Sequence, residues 1–235
     1  MFSQHSTRDK LIVTLDGDSL EHAADLVDLL KGEVTNFKIG MQLFTACGPD
    51  AIKMVQAHGG KVFLDLKYHD IPSTVAKAVY IATKLKVAMI NIHATGGRKM
   101  MAESLAAVQD AADGDPPLII GVTVLTSMES LGDIGIQYEI REQVIRLAKL
   151  AQEVGLHGVL ASPLEIQPIR AACGKKFIIM TPGIRPTGTH LDDQARISSP
   201  KQAIHAGADF LVIGRPVTEA KDPLLTVRNI LKEMG

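Results

Sequence analysis

Short apolar runs recur along the chain, and most are followed by a segment whose apolar positions return every three or four residues. The first run, Leu11 to Asp16, predicts a buried strand ending in a carboxylate. Asp18 and Ser19 then offer capping side chains, and Leu20, Ala23, Val27 and Leu30 fall on one stripe of the helix that follows. Phe37 to Gly40 predicts a short second strand with Lys38 inside it, and an amphipathic helix runs from Pro49 to His58 before Gly59-Gly60. Lys61 to Lys67 is the third strand, Pro72-Ser73 opens a helix through Lys84, and Ala88 to His93 is the fourth strand. Gly97 to Ala112 is helical in composition, and a turn at Asp113 to Pro117 leads into a strand from Leu118 to Leu125. Ile140, Val144, Leu147 and Ala151 mark one face of a further helix. Strands at Gly158 to Ser162, Phe177 to Thr181 and Phe210 to Gly214 complete the set, with helices at Pro163 to Ala172, Pro200 to Ala206 and Asp222 to Leu231.

Eight strands alternating with helices, at about thirty residues per unit, match the rhythm of a (β/α)8 TIM barrel, an α/β fold of roughly 250 residues. A doubly wound open sheet is the alternative. Polar side chains gather at the C-terminal ends of the strands, at Asp16, Lys38, Asp65, Lys67, His93, Thr126, Arg185 and Arg215. That distribution favours the barrel, whose active sites lie on that face.

Composition narrows the function without naming it. The chain has 235 residues, 46% of them hydrophobic, enough for one sizeable core. No linker or charge run divides it, so residues 11–235 are read as a single barrel domain behind a polar N-terminal extension, residues 1–10. With 25 basic and 26 acidic residues, no global field favours nucleic acid or an anionic membrane. The apolar runs are too short to span a bilayer and the first ten residues lack a signal-peptide core, which makes the cytoplasm the expected compartment. Cys47 and Cys173 stand far apart without metal-ligand spacing, as unpaired thiols in a reducing compartment would.

The chemistry centres on Asp65-Leu66-Lys67-Tyr68-His69-Asp70. Strict alternation along the third strand puts Phe63, Asp65 and Lys67 on one face. Burying ions costs several kcal/mol each, by the order-of-magnitude rule, so these charges either pair structurally or line a reactive cleft. Lys38 either snorkels to water or extends the array, and Asp16 is not needed as a helix cap beside Asp18 and Ser19. His93 reads as a structural or supporting group, and neither cysteine has a base at recognisable spacing. The long connection Thr181-Pro182-Gly183-Ile184-Arg185-Pro186-Thr187-Gly188, continuing to Asp192-Asp193-Gln194-Ala195-Arg196, has the composition of a binding lid. Ile213-Gly214-Arg215-Pro216 adds a glycine that lets an anion approach the backbone and an arginine fork to hold it. Together the two loops occupy the usual phosphate position of a barrel, after strands seven and eight.

Asp65-x-Lys67-x-x-Asp70, Pro182-Gly183-Ile184-Arg185, Asp193-Gln194 and Ile213-Gly214-Arg215-Pro216 resemble the motifs of the bacterial orotidine 5'-phosphate decarboxylase family, across about Leu11 to Leu231. The resemblance implies conversion of orotidine 5'-monophosphate to uridine 5'-monophosphate and carbon dioxide, the last step of de novo UMP synthesis, with no metal or organic cofactor. It implies that Lys67 protonates carbon 6, that Asp65 lies beside the departing carboxylate, and that Lys38 and Asp70 complete the charge network. Asp16 and Lys38 would bind the ribose, Thr126 the pyrimidine, and Arg185, Gln194, Gly214 and Arg215 the phosphate. The family pattern also implies a homodimer in which Asp70, Ile71 and Thr74 enter the neighbouring subunit's site. Magnesium-dependent sugar-phosphate enzymes of the same superfamily share the first motif but carry a carboxylate where this chain has Lys38. A non-catalytic nucleotide-binding barrel would need the phosphate loops without Asp65, Lys67 and Asp70 together.

Overall fold

The computed structural model describes residues 6–186 and 198–235. Parallel strands β1 (Leu11–Leu15), β2 (Asn36–Gly40), β3 (Lys61–Tyr68), β4 (Met89–His93), β5 (Leu118–Val122), β6 (Gly158–Leu160), β7 (Ile178–Thr181) and β8 (Phe210–Ile213) form the sheet. They pair in sequence order, and β8 pairs with β1, so the sheet is a closed barrel and the open-sheet alternative falls away. Closure removes both sheet edges, and helices cover the outer face.

Alternation along the strands divides the core into two layers. Leu11, Val13, Phe37, Ile39, Val62, Leu64 and their counterparts point outward into the layer shared with the helices. Ile12, Phe63, Met89, Ile120, Leu160, Ile178, Met180, Phe210 and Val212 fill the barrel interior. Further toward the strand C-termini the inward positions turn polar, with Thr14, Lys38, Asp65 and Asn91 standing above that apolar plug.

Eleven α-helices are present among the described residues: α1 (Thr7–Lys10), α2 (Leu20–Leu30), α3 (Met41–Cys47), α4 (Pro49–Ala57), α5 (Pro72–Lys84), α6 (Gly97–Ala111), α7 (Ile140–Val154), α8 (Ile166–Cys173), α9 (Pro200–Ala206), α10 (Arg215–Thr218) and α11 (Pro223–Met234). The start signals work as expected: the Ser19 hydroxyl accepts from His22 N–H, Ser199 and Gln202 form a capping box, and Pro72 opens α5. Two helices depart from the sequence pattern. The expected Pro49 to His58 helix is α4, but the sequence pattern does not mark α3, a further seven-residue helix that Gly48, at φ 58°, separates from α4. Residues 7–10, read as part of an extension, form α1 beneath the barrel, where Arg8 donates to Gly32 O at 2.7 Å and Thr7 to Gly235 O at 3.0 Å.

Two strands end before their apolar runs do. The β5 strand stops at Val122 and β6 at Leu160, since the chain needs Thr123 to Thr126 as a loop and Ser162 as the cap of a 3-10 turn over Pro163–Glu165. At the opposite end, Arg170 on α8 ties β7 to β8, donating to Phe177 O, Gly174 O, Gly207 O and the Asp209 carboxylate at 2.6–2.9 Å. That fork fixes the two strands whose outer loops carry Arg185 and Arg215.

Candidate active site

At the C-terminal mouth of the barrel lies a cavity of about 240 Å³. Of the residues singled out from sequence, Asp16, Lys38, Asp65, Lys67, Thr126, Arg185, Gly214 and Arg215 line it. Pro182 and Gly183, from the loop read as a binding lid, complete the wall with Thr14, Leu125, Leu160 and Val212, and sequence reasoning does not pick out these last four. Gln194 lies outside the described residues. Asp70, Ile71 and Thr74 are exposed and do not line the cavity of their own chain. Asp70 instead accepts the Ile71 N–H at 2.6 Å, just before α5 begins.

The floor is an alternating array of charges. Lys67 Nζ donates to Asp65 Oδ1 at 2.6 Å, Lys38 Nζ stands 3.1 Å from Asp65 Oδ2, and Asp16 Oδ1 is 4.0 Å beyond Lys38. The Asp65 side chain is 6% exposed, against 12% for Lys38 and 24% for Lys67, so the carboxylate is buried and its two ammonium partners open progressively toward the cavity. Burial is the largest single influence on the Asp65 carboxyl and pushes its pKa up. The charges of Lys38 and Lys67, with hydrogen bonds from Lys67 and Asn91, outweigh it and hold the group below the usual carboxylate range. Glycines let the strand ends crowd together here. A Cβ at Gly40 would lie 2.9 Å from Lys38 Nζ, and one at Gly214 would lie 3.3 Å from Asp16 Oδ2.

Asp65 and Lys67 meet as expected, but not by simple alternation. Between the pairs Leu64↔Ile90 and Tyr68↔Ile92, β3 carries Asp65, Leu66 and Lys67 while β4 carries only Asn91. The surplus is absorbed at Lys67, whose φ of 50° is left-handed, a region few side-chain-bearing residues occupy. Asn91 fills the gap: its Oδ1 accepts the Lys67 backbone N–H at 2.8 Å, and its Nδ2 donates to Asp65 Oδ1 at 2.6 Å. The only sequence signal for Asn91 is an amide inside an apolar strand, two residues before His93.

His93 does not line the cavity. Its ring stacks on His69 at 5.1 Å, and burial, then the charges of His69 and Lys67, lower its pKa to about 4, so it is neutral at pH 7. Cys47 and Cys173 are free thiols. Among the described residues no cluster of three or more His, Cys, Asp or Glu side chains is arranged to hold a metal ion, and no helix is long and apolar enough to cross a membrane.

A closed (β/α)8 barrel with a buried Lys-Asp-Lys array beneath two arginine-bearing loops has the architecture of a barrel enzyme acting on a small anionic substrate. The chain belongs to the orotidine 5'-phosphate decarboxylase / HUMPS family, whose model matches residues 9–230. Among curated proteins it is 51% identical to the orotidine 5'-phosphate decarboxylase of Syntrophotalea carbinolica, over 97% of this chain and 96% of that protein. It is 48% identical to the protein of the same name from Moorella thermoacetica, over 100% of this chain and 95% of the other. A solved structure, the orotidine 5'-phosphate decarboxylase of Lactobacillus acidophilus, superposes with a TM-score of 0.86 at 34% identity, covering 97% of this chain and 99% of that one.

Proposed function

We propose that this chain removes the carboxylate of orotidine 5'-monophosphate to give uridine 5'-monophosphate and carbon dioxide, and that Lys67 supplies the proton to carbon 6. The observation that carries the reading is the Lys67 ammonium, held 2.6 Å from a buried, ionised Asp65 and facing a cavity rimmed by Arg185 and Arg215. The two arginines, the Gly214 backbone and Gln194 hold the non-reacting phosphate. Asp16 and Lys38 bind the ribose hydroxyls, and Thr126 contacts the pyrimidine.

With the phosphate anchored, the substrate carboxylate lies toward Asp65 and carbon 6 toward Lys67. The bond from carbon 6 to the carboxylate breaks, carbon dioxide leaves, and the electron pair remains on carbon 6. A proton moves from Lys67 Nζ to that carbon, and the neutral amine regains a proton from water. An ammonium fixed before reaction stabilises charge that grows only toward the transition state, so its contribution falls on rate more than on affinity.

No metal enters this scheme. The second strand presents Lys38 in contact with Asp65, and that ammonium repels a divalent cation from the carboxylate a metal would use. The same contact disfavours a magnesium-dependent sugar-phosphate enzyme. Exposure of Asp70, Ile71 and Thr74 outside their own cavity supports a homodimer in which they complete the neighbouring site. The test is purified protein, treated with chelator, supplied with orotidine 5'-monophosphate. The expected result is consumption of substrate with release of carbon dioxide; no turnover, or turnover only after magnesium is restored, contradicts the proposal.

A further inference from the structure

We propose that Asn91 is a positioning residue for the reaction: by bonding both to Asp65 and to the backbone of Lys67, it holds the bulge that aims the Lys67 ammonium into the cavity. This inference rests on the decarboxylase reading of the same site. Three residues of β3 stand against one residue of β4, so the regular ladder leaves the Lys67 N–H without a strand partner there, and a fully buried Asn91 Oδ1 takes it at 2.8 Å. Left-handed backbone at a lysine persists only where its surroundings over-determine it. The other end of the amide, Nδ2, lies 2.6 Å from Asp65 Oδ1, the oxygen that also accepts from Lys67 Nζ. One side chain therefore fixes both ends of the Asp65 to Lys67 segment, its carboxylate and its last peptide.

An amide is the side chain that meets both demands at once, since it offers an acceptor to the Lys67 N–H and a donor to Asp65. The Asn91→Asp substitution keeps the acceptor but turns a second oxygen on Asp65. Two carboxylates at that distance share a proton, and the pair titrates as a unit. The charged and titratable groups around that pair are Lys38 from β2, Lys67 on β3, and His93 on β4 with His69 stacked upon it. Below the shared titration the introduced carboxyl is neutral and donates to Asp65 as the amide does; above it the two charges repel and the bulge loosens.

The experiment compares wild type, Asn91→Ala and Asn91→Asp, with folding checked by circular dichroism. For Asn91→Ala, kcat is expected to fall about 100-fold while KM stays within about threefold, the signature of a misplaced proton donor under an intact phosphate grip. For Asn91→Asp, the ratio of its kcat to that of wild type is expected to fall about tenfold or more between roughly pH 5 and pH 8, and titration of the substrate phosphate cancels in that ratio. A ratio that stays at the wild-type level throughout, or wild-type kcat in Asn91→Ala, overturns the positioning role; a ratio that is low at every pH supports it, with the introduced carboxyl ionised across the range. A crystal structure of either variant decides the geometry independently of activity: Lys67 still left-handed, with Nζ still on Asp65, overturns the proposal, and a regularised backbone or displaced Nζ supports it. Absence of turnover in the wild-type control counts against the decarboxylase reading alone.

Discussion

Asp65→Asn removes one charge and no volume, and its effect on stability follows from the contacts. Three donors converge on the carboxylate, Lys67 Nζ and Asn91 Nδ2 on Oδ1 and Lys38 Nζ on Oδ2, whereas an amide offers one acceptor oxygen. At an effective dielectric of about 20, separations of 2.6 and 3.1 Å correspond to gross attractions of about 6 and about 5 kcal/mol. The carboxylate's own desolvation, several kcal/mol by the usual rule, offsets part of this. Leaving the Lys67 ammonium without its carboxylate, and Lys38 with only Asp16 at 4.0 Å, should then cost about 3 to 5 kcal/mol, the usual range when one member of a buried ion pair is lost. For a chain of this length that lowers Tm by about 10 °C. The pH dependence has a definite sign. Because the folded-state pKa of Asp65 is lowered, its stabilisation is present in full above the unfolded value of about 3.9 and is lost as pH falls through the folded value. Thermal unfolding of the two proteins, followed from neutral pH downward, should show a constant gap that closes below about pH 4. A variant as stable as wild type at neutral pH, or more stable, would refute the claim that the array is held together by net attraction to Asp65.

Two further outcomes separate the parts of the site. Arg215→Ala should raise KM at least about tenfold while the Lys67 array, built on other strands, keeps its geometry; an unchanged KM would remove Arg215 from phosphate binding. Mixing Lys67→Ala chains with Asp70→Ala chains should restore measurable turnover, because in the proposed homodimer with shared sites a mixed pair would contain one site with both side chains intact. Demonstrated subunit exchange without recovery would show that Asp70 serves no neighbouring site.

Much of the framework is legible in the residues because its signals are local. Pro72 and Lys84 bound α5 where the pattern places them, Ser19 caps α2, and Pro200 to Ala206 is α9. Helix starts depend on side chains within a few residues, and strand faces on a period of two. What the pattern misses is non-local or very short. The α1 helix has too few residues for a stripe and owes its place to contacts with Gly32 and the C-terminal Gly235. Regular alternation brings Lys67 to the correct face for an incomplete reason: the bulge exists because β3 and β4 advance by different numbers of residues, and register between strands is not written in either strand alone. Asn91 escapes notice on the same ground, since an amide in an apolar strand acquires meaning only from the partner opposite it. The cavity-lining charges are legible because polar residues at the ends of apolar strands converge wherever a barrel closes. The apolar wall residues Leu125, Leu160 and Val212 carry no such contrast with their neighbours.

On the proposed mechanism the Lys67 ammonium, fixed by Asp65 and Asn91, delivers the proton. The most direct measurement is single-turnover conversion of saturating orotidine 5'-monophosphate by Lys67→Ala, with bound nucleotide quantified in the same sample and wild type run alongside. The predicted result is retained nucleotide binding with the chemical step slowed by about 10⁴-fold, the upper range for loss of a positioned general acid. Conversion at the wild-type rate by a folded, substrate-loaded Lys67→Ala chain would contradict it.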